Sequence, residues 1–463
     1  MPLTTRINAL KEEKMTQIRW QIPVVLMISI LVSYFDRMNI SFALPMIAKD
    51  YGWTVAETGK YGGLLMSVFF VGYGISTIFL SPIGERFGAK KSIIAVVILF
   101  SLVTCLQAPV GMMLTLFVAV RVLLGLVSGI HGPMNGVLTE RWFPINERSR
   151  ANSIWFCGIF AAMILAPPVV VPLCEFLGWK MMFVVIGLGG MIITVPLLKF
   201  FVYKKPEDHP KISVSEIDYI QKGRIVDTEK ETALSLMSTV KVLGRQRIFW
   251  LVIAIGIINN MIAFGLVSWM PTFFTEGRKL EFSNLVYATS VPYILSIVGA
   301  LTWAYLGDKT NKRGFLSSLA FLGSGIMICL AASTSFIPLI IFYFAAMIFF
   351  SAAYNANEIA FVQRIVPSER TGTGIGIYLG LSMMLGGGLG PILVGGAVSI
   401  SGSYSYGIGS LSVLCFGCSF LAFFLGRKLA YCNARLFIWY AAGRLRFPKP
   451  LAGPPSTYVQ KSC

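Results

Sequence analysis

The feature that most limits how this chain can fold is a succession of twelve apolar stretches, each long enough to cross a lipid bilayer. A spanning helix needs about 20 mostly apolar residues. Charged residues make up only 13% of the 463 positions, whereas a soluble protein has about 25%. The chain is therefore predicted to be an all-α integral membrane protein with twelve transmembrane helices. The predicted spans are 21–46, 58–82, 91–108, 112–139, 151–174, 180–202, 248–274, 284–306, 315–333, 336–364, 372–399 and 405–427.

The basic residues are confined to alternate gaps between these spans. The gaps after the second, fourth, eighth and tenth spans contain lysine or arginine, and those after the third, ninth and eleventh contain neither. Because basic loops stay on the cytoplasmic side, both chain ends are predicted to be cytoplasmic. This placement accounts for the net charge of +18, so nucleic acid is not an expected partner.

The longest polar gap divides the chain into two similar halves. Glu85 after the second span is matched by Asp308 after the eighth, and Asn135 is matched by Asn357 at nearly the same offset. The chain is thus predicted to contain two copies of a six-helix unit, with a substrate site between them near the middle of the membrane. The predicted organisation is an N-terminal cytoplasmic segment 1–20, an N-terminal half 21–202, a cytoplasmic linker 203–247, a C-terminal half 248–428 and a cytoplasmic tail 429–463.

Five stretches of the sequence resemble a known family. SPIGERFGAKK (81–91) resembles the loop 2–3 signature of the major facilitator superfamily, and WAYLGDKTNKRG (303–314) is its echo in the second half. Three further stretches resemble a narrower branch of this superfamily, the anion:cation symporters that include sugar-acid transporters. These stretches are YFDRMNISFALPMI (34–47), RVLLGLVSGIHGPMNGVLTERWFPINERSRA (121–151) and KKPEDHPKISVSEIDYI (204–220). The resemblance implies the superfamily fold, alternating access to the two sides of the membrane, and coupling to protons.

Five ionisable side chains lie inside the apolar runs. A charge at the centre of a membrane helix costs about 2.5–3.5 kcal/mol on insertion scales, so each of these residues is predicted to have a function. They are Asp36, Arg37, Arg121, His131 and Glu358.

The two arginines, Arg37 and Arg121, are predicted to bind an anionic substrate. A guanidinium group binds a carboxylate with two parallel hydrogen bonds. The rise per residue of a helix places both arginines in or near the outer half of the bilayer, and the resemblance implies the same role for both. The alternative is that each arginine only pairs with a carboxylate such as Asp36.

Two further residues are predicted to contact the substrate. Tyr73 matches a substrate-contacting tyrosine of the branch. Asn135 shares a small, polar face of the fourth span with Arg121, since the residues on that face recur at helical spacing; close helix packing is the alternative for this face. Ser128 stands where many sugar-acid symporters carry a second acid, which keeps an organic anion as the predicted substrate and weakens the case for a hexonate.

Three residues are predicted to bind the coupled proton. Asp36 is the leading carrier, because burial favours its neutral form and Arg37 favours its charged form, and the resemblance implies coupling at this position. His131 and Glu358 are predicted to replace the acid that the fourth span lacks. The alternatives are a permanent ion pair for Asp36, a packing role for His131, and a structural partnership of Glu358 with an amide or with Arg364.

Charged residues of the cytoplasmic gaps are predicted to act as gate latches. An acid at the end of one helix can hold the N-terminus of a neighbouring helix and loop arginines, and such contacts would break when the carrier switches. The alternative is that these charges only set the topology. The predicted gating residues are Glu85, Arg86, Arg148, Asp308 and Arg370.

The predicted function is secondary active transport: proton-coupled uptake of a small organic carboxylate, a sugar acid or related monocarboxylate, across a bacterial inner membrane. The expected partners are that anion, protons and the lipid bilayer; the expected state is a monomer, and no cofactor or metal is expected. The alternatives are a uniporter or exchanger of organic anions, an efflux transporter of amphiphilic compounds, and a sensor of external acids. An enzyme is not expected, because only two histidines, His131 and His209, are present for a metal or nucleophile cluster.

Overall fold

The structure is a computed structural model that describes residues 15–222, 236–310, 312–366 and 371–441. Within these ranges the regular structure is helical throughout, with no β-strand. Eleven helices among the described residues are long and apolar enough to cross a membrane. The chain is therefore an all-α, multi-pass membrane protein.

The first half of the chain forms six helices of very different length. The fourth predicted span is two helices, because the chain turns at Gly129 and Ile130 between them. The helices are α1 (Gln21–Tyr51), α2 (Val55–Phe87), α3 (Ala89–Val110), α4 (Leu114–Ser128), α5 (His131–Trp142) and α6 (Ile145–Phe201).

The long helix α6 contains one interruption. Gly178 has φ 77° and ψ 160°, a conformation that glycine adopts readily because it has no Cβ. A division of α6 at Gly178 yields two segments, each long enough to span a bilayer. Together with the other ten candidate spans, this division is consistent with the twelve spans predicted from the sequence.

The linker and the second half form ten further helices. The tenth predicted span is broken between α12 and α13, and the eleventh continues from α14 to α15 through a π-helical turn, Ser382–Gly386. The helices are α7 (Val214–Lys222), α8 (Leu236–Leu243), α9 (Arg247–Thr272), α10 (Leu285–Thr310), α11 (Arg313–Ser333), α12 (Ile337–Asn355), α13 (Glu358–Ile365), α14 (Thr371–Leu381), α15 (Gly387–Ser401) and α16 (Tyr404–Ala441).

The helices pack into two compact units. Unit 1 comprises Met1–Met46 and Val71–Glu231, and unit 2 comprises Ile47–Phe70 and Thr232–Cys463. In unit 1, α3 packs along both α4 and α6; in unit 2, α9 packs against α15 and α16, and α11 packs against α16. The end of α1 and the beginning of α2 thus pack with helices of the second half of the sequence.

Inside unit 2, α2 approaches α15 at backbone distance. A Cβ atom on Gly59 would lie 2.5 Å from the carbonyl oxygen of Gly395, and one on Gly63 would lie 3.0 Å from that of Pro391. The indole of Trp269 donates a 2.9 Å hydrogen bond to the same Pro391 carbonyl. Small residues allow such close helix contacts in membranes, so the glycine-rich sequence of α15 serves a packing function here.

Candidate functional site

The polar residues predicted to bind substrate and protons in the first half lie within unit 1. We call Asp36, Arg37, Tyr73, Arg121 and His131 the arginine site; they come from α1, α2, α4 and α5. The exposed fractions are 2% for Asp36, 7% for Arg37, and 1% each for Arg121 and His131. These four ionisable groups are therefore among the most deeply buried of the chain, in a class of residue that is rarely buried without a partner.

Arg37 lies between two tyrosine rings. The guanidinium carbon is 4.3 Å from the centre of the Tyr34 ring and 4.6 Å from that of Tyr73. Cation–π contacts of this length hold a guanidinium group in place. The hydroxyl of Tyr73 in turn lies beside Gly132 at the start of α5, where a Cβ atom would be 3.9 Å from it. Arg37 is thus held at a fixed position beside the break between α4 and α5.

Asp36 and Arg121 interact through their charges, and Arg121 also faces the positive charge of Arg37. Among the described residues, neither carboxylate oxygen of Asp36 accepts a hydrogen bond of good geometry, but the Thr104 hydroxyl of α3 faces the carboxylate as a weaker donor. With His131 neutral, two cations and one carboxylate give the arginine site a net charge of about +1. A net positive, buried site favours binding of an anion.

Further buried polar atoms on α1, α3 and α5 have no hydrogen bond within the described part of the chain. They include both amide atoms of Asn39 and of Asn135, the Thr104 hydroxyl and the Gln107 carbonyl oxygen. Buried polar groups are normally hydrogen-bonded to protein, ligand or water. These atoms leave unused hydrogen-bonding capacity inside α1, α3 and α5.

His131 begins α5, directly after the break in the fourth span. The Nε2 atom is 2.9 Å from the Ser29 hydroxyl on α1, and Nδ1 has no hydrogen-bond partner in the part of the chain that the structure describes. Arg37 is close enough to interact with this imidazole electrostatically. A proton-coupling role for His131 stays a prediction, as does substrate binding by Asn135.

The remaining predicted proton-binding residue, Glu358, lies in unit 2 as the first residue of α13. The Tyr378 hydroxyl donates a 3.0 Å hydrogen bond to Glu358 Oε2, and the Tyr354 hydroxyl lies 3.1 Å from that of Tyr378. A tyrosine hydroxyl is therefore one hydrogen-bond partner of Glu358, and proton coupling by Glu358 stays a prediction.

Three aromatic residues of these sites were not predicted from the sequence. Tyr34 precedes Arg37 by three residues on the same helix, a spacing that places two side chains on one face. Tyr354 lies four residues before Glu358, a spacing that also places two side chains on one face of a continuous helix. Tyr378 has no such signal, because it reaches Glu358 from another helix.

The predicted gating residues are only partly described. Glu85 and Arg86 are exposed and form no salt bridge with any residue in the described ranges. Arg148 donates to the Phe143 carbonyl and lies 3.6 Å from Glu140. Arg370 and the side chain of Asp308 lie outside the described residues. Gating by this group stays a prediction.

The linker helix α7 contributes a buried acid to the start of α1. Glu216 is fully buried, and it accepts hydrogen bonds from the Thr16 hydroxyl at 2.6 Å, from the Ile18 backbone N–H at 3.1 Å and from Arg19 Nη1 at 2.8 Å. Arg19 also pairs with Glu147 at 2.8 Å. The linker thus caps the first helix and holds a buried charge cluster in unit 1.

The charge state of Glu216 predicts how acid affects this cluster. Burial raises the pKa of Glu216, but the hydrogen bonds from Thr16 and Arg19 outweigh it and hold the pKa below its ordinary value. A lowered folded-state pKa contributes stability that is complete above the unfolded value, about 4.3. That stability is lost as the pH falls from there through the folded-state pKa.

Replacement of Glu216 by Gln is expected to lower the apparent melting temperature at pH 7 by about 3–5 °C, because breaking a buried ion pair costs about 3–5 kcal/mol. The Gln variant should also lose part of the acid sensitivity below about pH 4.3. The measurement is thermal unfolding in detergent at several pH values. Asp218→Asn on the same helix is the control, since Asp218 forms only an exposed pair with Lys222 and such pairs contribute little. Equal melting temperatures for the two variants would contradict the capping role.

Comparison with known proteins places the whole chain among transporters. The Major Facilitator Superfamily model matches residues 26–300 and 283–431. GudP of Bacillus subtilis, named as a probable galactarate/D-glucarate transporter, is 25% identical over 414 residues, which cover 85% of this chain and 88% of the relative. SauU of Cupriavidus necator, named as a probable sulfoacetate transporter, is 27% identical over 332 residues, covering 72% and 73% respectively.

The fold is also found among solved structures. A bacterial homologue of the human lysosomal transporter Spinster, in an inward-facing and unoccupied conformation, superposes with a TM-score of 0.75 at 16% identity. The match covers 89% of this chain and 98% of that chain. At this identity the likeness shows the fold alone.

Proposed function

This chain belongs to the Major Facilitator Superfamily, and from that premise we propose that it takes up a small organic carboxylate together with a proton. The family and the named relatives make it a multi-pass membrane transporter and not an enzyme. The proposal concerns the class of substrate that is transported and the ion whose gradient drives transport. The observation that supports it best is the buried pair of arginines beside a single carboxylate in unit 1.

The charge and rigidity of the arginine site support an anionic substrate. Arg37 is oriented by Tyr34 and Tyr73, so little side-chain entropy is lost when its guanidinium group binds a ligand. A carboxylate bound to Arg37 and Arg121 would form charge-assisted hydrogen bonds with two guanidinium groups, which are stronger than hydrogen bonds between neutral groups. GudP and SauU are named for substrates that each carry at least one carboxylate, which is in keeping with this assignment.

Asp36 is proposed to carry the coupled proton. A substrate carboxylate bound to Arg121 would neutralise the charge that stabilises the Asp36 carboxylate. An ionised carboxylate without a cation is expensive to bury, so Asp36 would then take up a proton. Binding of substrate would in this way promote binding of a proton to the same unit, which couples the two without a direct contact between them.

The test of this function is transport by Asp36→Asn in proteoliposomes. The labelled substrate is first selected by a thermal-shift screen of purified protein against carboxylic acids, beginning with D-glucarate and sulfoacetate. Because Asn cannot carry a proton, we expect exchange of labelled for unlabelled substrate to continue while accumulation driven by a pH gradient is lost. Asp218→Asn, which alters an exposed acid on α7, is expected to behave like wild type in both assays.

Two outcomes would contradict the proposal. If Asp36→Asn retained accumulation driven by the pH gradient, Asp36 would not be the proton carrier. If wild type and Asp36→Asn showed equal exchange and equal net flux with no response to the pH gradient, the protein would be a uniporter or an exchanger.

A further inference from the structure

We propose that Glu358, Tyr378 and Tyr354 form a second proton-binding site in unit 2, in which the two tyrosines are positioning residues that hydrogen-bond Glu358 in both of its protonation states. The inference rests on the proposed function in that it takes the proton as the coupled ion. It adds a site on α12, α13 and α14 of unit 2.

Three hydrogen-bond links join these residues end to end. The Tyr378 hydroxyl is 3.0 Å from Glu358 Oε2, the Tyr354 hydroxyl is 3.1 Å from that of Tyr378, and the Val252 carbonyl oxygen is 3.3 Å from the Tyr354 hydroxyl. Tyr354 is 1% exposed and Tyr378 is fully buried, whereas Glu358 is partly buried. The chain of hydroxyls therefore runs from a partly accessible acid to a backbone carbonyl inside the unit.

The hydroxyl hydrogens of this chain can point in either direction. When Glu358 is ionised, Tyr378 donates to the carboxylate and Tyr354 donates to Tyr378. When Glu358 gains a proton, the new O–H donates to Tyr378, Tyr378 donates to Tyr354, and Tyr354 donates to the Val252 carbonyl. The two arrangements differ by one proton, the one that Glu358 gains. The hydroxyl hydrogens of Tyr378 and Tyr354 only rotate about their C–O bonds.

Both arrangements leave no hydroxyl without a partner, and the protonated one has an additional hydrogen bond. The ionised arrangement has two links within the chain and the protonated arrangement has three. A buried polar group without a partner costs free energy comparable to a lost hydrogen bond. Glu358 can therefore gain and lose a proton without leaving a buried group unsatisfied in either state, which is what a proton carrier in an apolar segment requires.

The charged and titratable groups near Glu358 in the described ranges come from several helices. The helices that make most contacts with α13 are α9 and α14, and their ionisable residues are Arg247, at the first position of α9, and Tyr378. Gly307 of α10 lies against both Asn357, the residue before Glu358, and Arg313 of α11. Arg364 lies six residues further along α13, and Cys418 of α16 interacts with Tyr354. No salt bridge to Glu358 is found among the described residues.

One glycine keeps the hydroxyl of Tyr378 in its position. A Cβ atom on Gly256 of α9 would lie 2.5 Å from the Tyr378 hydroxyl and 2.7 Å from the Ser382 hydroxyl. A methyl group at this position would push the phenol away from its hydrogen bonds. Gly256→Ala therefore disturbs the site without removing any titratable or hydrogen-bonding group.

The experiment is an infrared titration of the purified protein, which follows the carbonyl stretch of a protonated carboxylic acid as the pH is changed. We expect a titrating band in wild type that is absent in Glu358→Gln. In Tyr378→Phe the midpoint should move to higher pH by about half to one unit, because the ionised acid loses the hydrogen bond that Tyr378 donates. Gly256→Ala should shift the midpoint in the same direction.

Tyr354→Phe is expected to move the midpoint in the opposite direction, to lower pH, by a similar amount. This variant keeps the hydrogen bond from Tyr378 to the carboxylate, but the protonated arrangement loses two links. Two isosteric deletions with opposite shifts are not expected of residues that only fill space. Tyr406→Phe, at a position that is 71% exposed, is the control and should leave the midpoint unchanged.

The proposal would be overturned if the wild-type band did not depend on Glu358, or if both tyrosine variants shifted its midpoint in the same direction or not at all. The titration needs no substrate, so it separates this inference from the proposed function. A protein with the expected shifts that transports no carboxylate would refute the proposed function and leave the proton site intact. Melting temperatures of each variant identify any that fail to fold, and Gly256→Ala then provides a test with both tyrosines in place.

Discussion

Replacement of Arg121 by Gln is expected to weaken binding of a carboxylate substrate by about 30-fold to several thousand-fold. Removal of one partner from a buried, hydrogen-bonded charge pair costs about 2–5 kcal/mol, which corresponds to that range of affinity. Arg121 is 1% exposed and is positioned against both Asp36 and Arg37, so water cannot replace the lost charge. The measurement is calorimetric titration of purified protein with the carboxylate found in the screen.

The matched control for this variant is Arg427→Gln. Arg427 is exposed on α16, so the same chemical change there should leave the affinity within about twofold. Arg121→Lys adds a second comparison, because it keeps the charge but loses the planar pair of donors. We expect its affinity to fall between those of wild type and Arg121→Gln. If Arg121→Gln folded and bound the carboxylate as wild type does, Arg121 would have no part in substrate binding.

Replacement of Gly395 by Leu is expected to reduce transport by about 100-fold while leaving substrate binding largely intact. A Cβ atom on Gly395 would collide with the carbonyl oxygen of Gly59 and lie 2.9 Å from Trp269, so α2 and α15 could no longer approach each other. Overpacking costs about 1–3 kcal/mol, and 3 kcal/mol is about 150-fold in an equilibrium between closed and separated helices. The measurement is the initial rate of uptake in proteoliposomes.

The helix α2 belongs to the first sequence repeat and α15 to the second. In an alternating-access cycle the two repeats move against each other, so this contact is expected to break and form again during transport. The next residue provides the control: Gly396 has nothing within 4 Å of its Cβ position, so Gly396→Leu should transport at nearly the wild-type rate. Equal loss of transport in both variants, or full activity in Gly395→Leu, would contradict a role for this contact in the transport cycle.

The fold could be predicted from the sequence because the bilayer imposes a strong constraint. An apolar run of spanning length can satisfy its backbone hydrogen bonds in a membrane only as a helix or in a closed barrel. The positions of the basic gaps then predict on which side of the membrane each loop lies. The interruptions inside the spans were harder to predict. The breaks at Gly129 and between Asn355 and Glu358 occur within continuous apolar or weakly polar sequence, where glycine is also common in uninterrupted membrane helices.

The candidate sites could be predicted only where a residue is unusual for its environment. Asp36, Arg37 and Arg121 stand out because a charge in an apolar run is costly. Tyr378 does not stand out, because tyrosine is compatible with a membrane helix and its partner Glu358 is on another helix. Glu216 could not be predicted either, because its contacts form only when the linker folds back onto the start of α1.

The glycine-rich segment of α15 shows a different limit of sequence reasoning. Close packing could be predicted from the glycines, but not which helix would fill the space. The partner is the beginning of α2, through Gly59 and Gly63. A contact between distant segments requires knowledge of the topology, which composition and periodicity do not supply.

The central claim is that two buried guanidinium groups select a negatively charged solute. The calorimetric titration of wild-type protein with the selected carboxylate and with its neutral primary amide tests this most directly, because the two ligands share size and shape and differ in charge. The account predicts saturable binding of the carboxylate and an affinity for the amide at least about 100-fold lower. Equal affinity for the two ligands would show that charge does not determine recognition and would contradict the account.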